Sequence, residues 1–170
     1  MPFIYCGVLT LFCVPLFFSS KKFSAAEKAK EEGFEQIAAI FMETAEQERE
    51  HAKRMFKYLE GGMVEITAKF PAGVIGTTME NLRAAAAGEH EEWVDDYPKF
   101  ADIAQEEGFP AIAAMYRNIA IAEKGHEERY LDLLKNVEEG KVFVKDGKVF
   151  WQCRNCGFII EAEEAPKACP

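Results

Sequence analysis

One message occurs twice in this chain at a constant spacing. Glu31-Glu32-Gly33-Phe34 returns as Glu106-Glu107-Gly108-Phe109, and at the same offset of 75 positions Ile37 meets Ile112, Ala38-Ala39 meets Ala113-Ala114, Glu48 meets Glu123 and His51 meets His126. A repeat that keeps register over a long amphipathic segment predicts two copies of one helical unit that bury their apolar faces together. Each copy carries Glu-x-x-His at its middle, which is how a pseudo-twofold helical bundle turns ligands for a pair of metal ions toward its axis.

The chain is 170 residues long, enough for one core of roughly 130 to 150 residues with a small appendage. A net charge of -9 and a pI near 5.0 argue against nucleic acid or an anionic membrane surface as the main partner and favour cations. The five cysteines do not form a disulfide framework: Cys6 and Cys13 lie in an apolar leader, whereas Cys153, Cys156 and Cys169 cluster in the tail. That pattern predicts metal ligation in a reducing, cytoplasmic setting. Residues 3–18 are nearly all apolar, and Lys21 and Lys22 follow them rather than precede them. The stretch is short for a span and has its charge on the wrong side for a secretory signal. A bundle helix or an altered start ranks first for it, a membrane anchor second and a signal peptide third.

Helical periodicity runs from Phe34 to Glu60, ahead of Gly61-Gly62, and Val64 to Phe70 reads as an extended crossover. A second helix opens at Thr77 or Thr78 with a Thr77/Glu80 capping box and continues to about Glu107, kinked at Pro98. A third runs from Pro110 to about Glu139. Beyond Gly140, Val142, Val144, Val149, Phe150 and Trp151 suggest short strands about an Asp146-Gly147 turn.

Three seams follow from this. They are Ile37, Phe41, Thr44, Glu48, His51, Met55 and Tyr58; Leu82, Ala85, Glu89, Glu92, Asp96, Phe100 and Ile103; and Tyr116, Ile119, Glu123, His126, Tyr130, Leu133 and Val137. Each is apolar at its ends and ionisable at its centre. Buried unpaired carboxylates cost several kcal/mol each, and four facing one another repel unless protons or cations intervene. Two dications resolve the conflict, with glutamates giving terminal and bridging oxygens and neutral imidazoles one nitrogen to each ion. Glu43, Glu46, Glu50 and Glu127 are assigned to outer faces, and His90 to the surface. In the tail, Cys153-Arg-Asn-Cys156-Gly is a metal-binding knuckle, and Cys169-Pro170 resembles the start of a second. Three thiolates are present, and the fourth ligand of a tetrahedral iron or zinc site is expected two residues beyond Pro170, so the chain reads as cut short within this site.

With these motifs in place the chain resembles the rubrerythrins from about Ala26 to Pro170. The resemblance rests on Glu-Gly-Phe-Glu-Gln-Ile-Ala-Ala-Ile-Phe from Glu32, Phe-Pro-Ala-Gly-Val-Ile-Gly from Phe70, Gly88-Glu89 with Glu91-Glu92-Trp93, and Cys153-Arg-Asn-Cys156-Gly-Phe. It implies an all-α, ferritin-like four-helix bundle with an atypical first helix and a small rubredoxin-like segment. The corresponding divisions are 1–24 for the leader or replaced helix, 25–140 for the diiron domain and 141–170 for an incomplete rubredoxin-like domain. It implies two iron ions held by Glu48, His51, Glu89, Glu92, Glu123 and His126, with Glu48 and Glu123 bridging and Glu92 and His51 exchanging on one iron. It further implies one iron or zinc at Cys153, Cys156 and Cys169. Tyr97 resembles a tyrosine beside the site, and with Glu92 and His51 it is the expected catalytic group.

The implied activity is reduction of hydrogen peroxide to water by an NADH-linked chain of electron transfer. The implied partners are a reductase or rubredoxin donor and a second copy in a homodimer, with no nucleic acid and a membrane contact only through residues 3–18. One family ligand has no match: the first-helix glutamate falls near positions 14–17, which read Val14-Pro15-Leu16-Phe17. The alternative function is therefore an iron-binding or iron-oxidising protein with impaired turnover.

Overall fold

The computed structural model describes residues 19–59, 61–63 and 73–169. The apolar leader, Pro15, Cys6 and Cys13, and the extended crossover expected at Val64 to Phe70 all lie outside the described residues. Helix α1 covers residues 19–31, α2 is Glu35–Phe56, α3 is Thr78–Glu91, α4 is Tyr97–Glu106 and α5 is Pro110–Glu138, with a π-helical turn at Glu92–Asp96 between α3 and α4. Strands β1 (Val144–Gln152) and β2 (Ile159–Glu164) form an antiparallel pair.

The repeated Glu-Glu-Gly-Phe is a helix stop. At Gly33 and Gly108 the backbone adopts φ of 85° and 86°, the left-handed region that favours glycine. In each copy the phenylalanine N–H reaches back to close the helix, Phe34 to the Ala29 carbonyl and Phe109 to the Ala104 carbonyl, both at 2.8 Å. A new helix then starts at once. The duplicated unit is thus α1–α2 and α4–α5. The expected capping box is present: Thr77 Oγ1 accepts from the Glu80 N–H at 3.3 Å, and Glu80 Oε2 accepts from the Thr77 N–H at 2.8 Å.

Two apolar cores stack along the bundle. One joins Ala25, Ala26 and Ala29 of α1 to Ile37 and Phe41 of α2, Leu82 of α3, and Tyr130 and Leu134 of α5. The other joins Met55 of α2 to Tyr97, Ala101 and Ala104 of α4, and to Ile112, Tyr116 and Ile119 of α5. Truncating a core side chain such as Phe41 to alanine costs about 3 to 5 kcal/mol. The ionisable centres of the seams occupy the layer between these cores.

The structure departs from the sequence reading in three places. Beyond Glu92 the seam shifts: Phe100 still packs against the core, but Ile103 is exposed and the fully buried residues are Tyr97, Ala101 and Ala104. The π turn absorbs one extra residue, so the core face moves by one position. The π turn ends just before Pro98, which lies at the start of α4. Asp146-Gly147 is not a hairpin turn: it lies inside β1, where the register with β2 shifts between Val144 and Val149, and Asp146 pairs with Lys141 at 2.8 Å. Tyr58 falls beyond the end of α2 and is exposed.

Candidate metal centre

Glu48 and His51 come from α2, Glu89 from α3, Glu92 from the π turn, and Glu123 and His126 from α5. Glu48 and Glu123 have no exposed surface, Glu89, Glu92 and His126 are buried, and His51 keeps 14% of its side chain exposed. One donor atom each from Glu48, Glu89, Glu123 and His126 lie within 4.8 Å of one another.

Glu123 is the hub. Its Oε1 lies 2.8 Å from His51 Nδ1 and its Oε2 2.7 Å from His126 Nδ1. His126 Nε2 lies 2.9 Å from Gln47 Oε1, an acceptor, so that nitrogen carries the proton and Nδ1 is the one turned inward. Gln47 is itself held by Arg129 Nη2 at 3.3 Å, and the same guanidinium nitrogen donates to Thr44 Oγ1 at 2.8 Å.

Without a metal, protonated nitrogens take the place of dications. Burial alone would depress His51 and His126, but hydrogen bonds to Glu123, and then to Glu48 and Glu89 respectively, raise them to about 10 and about 9. Burial likewise pushes Glu123 upward, and its bonds to the two imidazoles outweigh this and bring it to about 2. Lys22 of α1, also buried, places Nζ 3.0 Å from Oε1 of Glu48 and 3.0 Å from Oε1 of Glu89. Burial, reinforced by Glu48 and Glu89, holds the Glu92 carboxyl well above the usual range. Among the described residues neither Glu92 oxygen has a hydrogen-bond partner, and neither does the buried Tyr97 hydroxyl.

Buried acceptors without donors are rare in folded proteins, and here they point into a nest of carboxylates. A donor set of carboxylate oxygens with two imidazole nitrogens suits iron and similar divalent ions, so the residues fit a dimetal centre. The structure gathers Glu48, Glu89, Glu123 and His126, sets His51 against Glu123 and Glu48, and buries Glu92 within electrostatic reach of the three other carboxylates, while Tyr97 lies in the adjoining apolar core. His51 is the most exposed of the six and stands beside Glu50 and Arg54 of the same helix.

Two residues in the layer escaped the sequence reading. Gln47 gave no signal. Lys22 had one: the 75-residue offset that pairs Glu48 with Glu123 pairs position 22 with Tyr97, which is buried. Glu127 is half-buried rather than outward, accepting from the Trp93 indole N–H and lying 3.0 Å from Nδ1 of His90, which is exposed as expected.

The thiols of Cys153, Cys156 and Cys169 converge at the protein surface, with Cys156 and Cys169 Sγ 3.1 Å apart. The knuckle is closed by Gly157, at φ 79°, whose N–H donates to the Cys153 carbonyl at 2.9 Å. Backbone N–H groups of Cys156 and Asn155 lower the Cys153 thiol to about 7, while its bond to Cys156 pushes Cys169 up to about 12. These thiols supply three donors of a tetrahedral site for iron or zinc. Among the described residues no helix is long and apolar enough to cross a membrane.

Comparison with known proteins agrees with this geometry. The family model described as Rubrerythrin matches residues 21–134, and that described as Rubrerythrin, rubredoxin-like domain matches residues 151–170. Rubrerythrin of Porphyromonas gingivalis is 65% identical over 145 residues, covering 85% of this chain and 72% of its own. Rubrerythrin of Nitratidesulfovibrio vulgaris is 55% identical over 143 residues, covering 84% and 75%. Fully reduced, all-ferrous nigerythrin superposes with a TM-score of 0.70 at 29% identity, covering 95% of this chain and 78% of that one.

Proposed function

The chain belongs to the rubrerythrin family of diiron proteins with a rubredoxin-like cysteine site, and on that premise we propose that it reduces hydrogen peroxide to water. The observation that carries this reading is the burial, in one layer, of four carboxylates and two imidazoles that only cations or protons reconcile. Glu48, His51, Glu89, Glu92, Glu123 and His126 are the residues that would hold two irons, and Cys153, Cys156 and Cys169 those that would hold a third ion. Two irons held there would supply the two electrons of O–O cleavage, and an iron held by the thiolates would pass on replacements from a reductase or rubredoxin donor.

The chain's own groups do the rest. Glu123 orients both imidazole Nδ1 atoms, and Gln47 fixes the ring of His126. Conversion of one peroxide to two waters takes up two protons. The Tyr97 hydroxyl, raised by burial and by Glu92, holds a proton beside the cluster. His51, the most exposed of the six, marks the side from which a molecule as small as peroxide would approach.

A second reading, an iron-binding or iron-oxidising protein with poor turnover, is favoured by one observation: a lysine ammonium already sits among the carboxylates. Stopped-flow mixing of the iron-loaded, reduced protein with peroxide separates the two. The first reading expects one peroxide consumed per pair of irons and repeated turnover with an electron donor. A single oxidation without turnover supports the second, and no peroxide-dependent oxidation removes the first.

A further inference from the structure

The polar layer holds two sets of cationic contacts, which meet at His126, whose Nδ1 also lies 3.9 Å from Glu48 Oε1 and from Glu89 Oε2. In one set Glu123 gathers the Nδ1 atoms of His51 and His126 at 2.8 and 2.7 Å. In the other, Glu48 of α2 and Glu89 of α3 share the Lys22 ammonium at 3.0 Å each. Lys22 is 4% exposed, and its helix is tied to α2 by the Ser19 hydroxyl, which donates to the Ala45 carbonyl at 2.9 Å. The internal repeat sets Lys22 opposite Tyr97, a position that faces the interior in both halves of the bundle.

We propose that Lys22 is a tethered competitor for one of the two dication positions, so that the centre loads in two unequal steps. The first ion enters on the His51 side of Glu123. The second enters the position framed by Glu48, Glu89, Glu123 and His126 only as the ammonium leaves Glu48 and Glu89. Two dications balance four carboxylates with nothing left over, and an ammonium held among them as well would leave the pocket positively charged and buried. The lysine stem is long and flexible enough to let its head withdraw while the helix stays in place. This inference rests on the metal-centre reading above and adds an order of filling and a gap in affinity to it.

The test is a titration of the metal-free full chain with Co²⁺. Thiolate-bound cobalt is identified by its charge-transfer absorption, and the bundle ions by their ligand-field bands. The wild-type protein is expected to show two bundle affinities differing about tenfold or more, as an added unit charge a few ångströms away dictates. In Lys22→Met the second affinity tightens about tenfold and the first is unchanged, and Lys22→Gln serves if the methionine variant does not fold. A readout on the wild type alone uses amine acylation followed by mass spectrometry: Lys22 is protected with no ion or one ion bound and becomes labelled as the second ion fills. Equal affinities in wild type and variant, or labelling of Lys22 that ignores metal loading, overturns the proposal and leaves the metal centre standing. Absence of bundle cobalt from both proteins overturns the metal-centre reading and the proposal with it.

Discussion

The bundle centre and the cysteine knuckle are built in opposite ways. The bundle draws its donors from positions as distant as Glu48 and His126, and two apolar cores position them before any metal arrives. Its difficulty is repulsion, relieved in the metal-free protein by Lys22 and two protonated imidazoles. The knuckle draws its thiols from a short surface segment, held by one glycine turn and a two-stranded ladder. Little there is buried, so metal binding itself supplies much of the order. A buried site thus depends on its fold and tunes its metal, whereas an exposed one depends on its metal.

Breaking the hub gives the largest expected effect. Glu123→Ala removes the carboxylate that both imidazoles share. Bundle iron is expected to be lost and peroxide oxidation to fall about 100-fold or more, with stability lower by about 3 to 5 kcal/mol from the broken buried pairs. Cys153→Ser should do the reverse, abolishing the thiolate absorption while leaving bundle iron in place. Iron content and absorption spectra of the two variants check both.

Removing metal comes next. With free metal at about 100 times the dissociation constant, loading is expected to stabilise the helical domain by about 2.7 kcal/mol, read as a higher Tm of the helical signal and reversed by a chelator. The metal-free protein should also respond to pH in a defined direction. His51 and His126 are raised in the fold, so their contribution is complete below the unfolded value of 6.5 and is lost as pH rises through about 9 and about 10. Its Tm should therefore fall across that window, and a Tm that rises there contradicts the assignment.

Smaller effects sharpen the comparison. Gln47→Leu leaves all six donor side chains in place but frees the ring of His126, and bundle metal affinity should drop by about 10- to 100-fold with the cysteine site unchanged. His90→Ala removes a pair with the half-buried Glu127 and an edge contact with the Trp93 ring, so stability should fall by about 1 kcal/mol or less and metal content should not change.

Much of the centre was legible because burial follows helical period. Glu48, Glu89, Glu92, Glu123 and His126 stood on apolar seams, and each is buried. The register beyond Glu92 was not legible, because a π turn adds one residue without any residue type that demands it, and so Tyr97, Ala101 and Ala104 become the fully buried positions. Pro98 marked the disturbance but not its form. Asp146-Gly147 misled because the same dipeptide suits a tight turn and a strand irregularity. Lys22 was hidden by its chemistry: a lysine at the edge of an apolar stretch reads as solvated, and only the repeat offset set it opposite a core tyrosine.

The claim that acids and imidazoles converge to share metal is tested most directly by anomalous diffraction at the iron edge from crystals of the iron-saturated protein. Two peaks between α2, α3 and α5, within bonding distance of Glu48, Glu89, Glu92 and Glu123 and of Nδ1 of His51 and His126, are the predicted result. Iron at the cysteines alone, with the bundle layer empty of density, would contradict it.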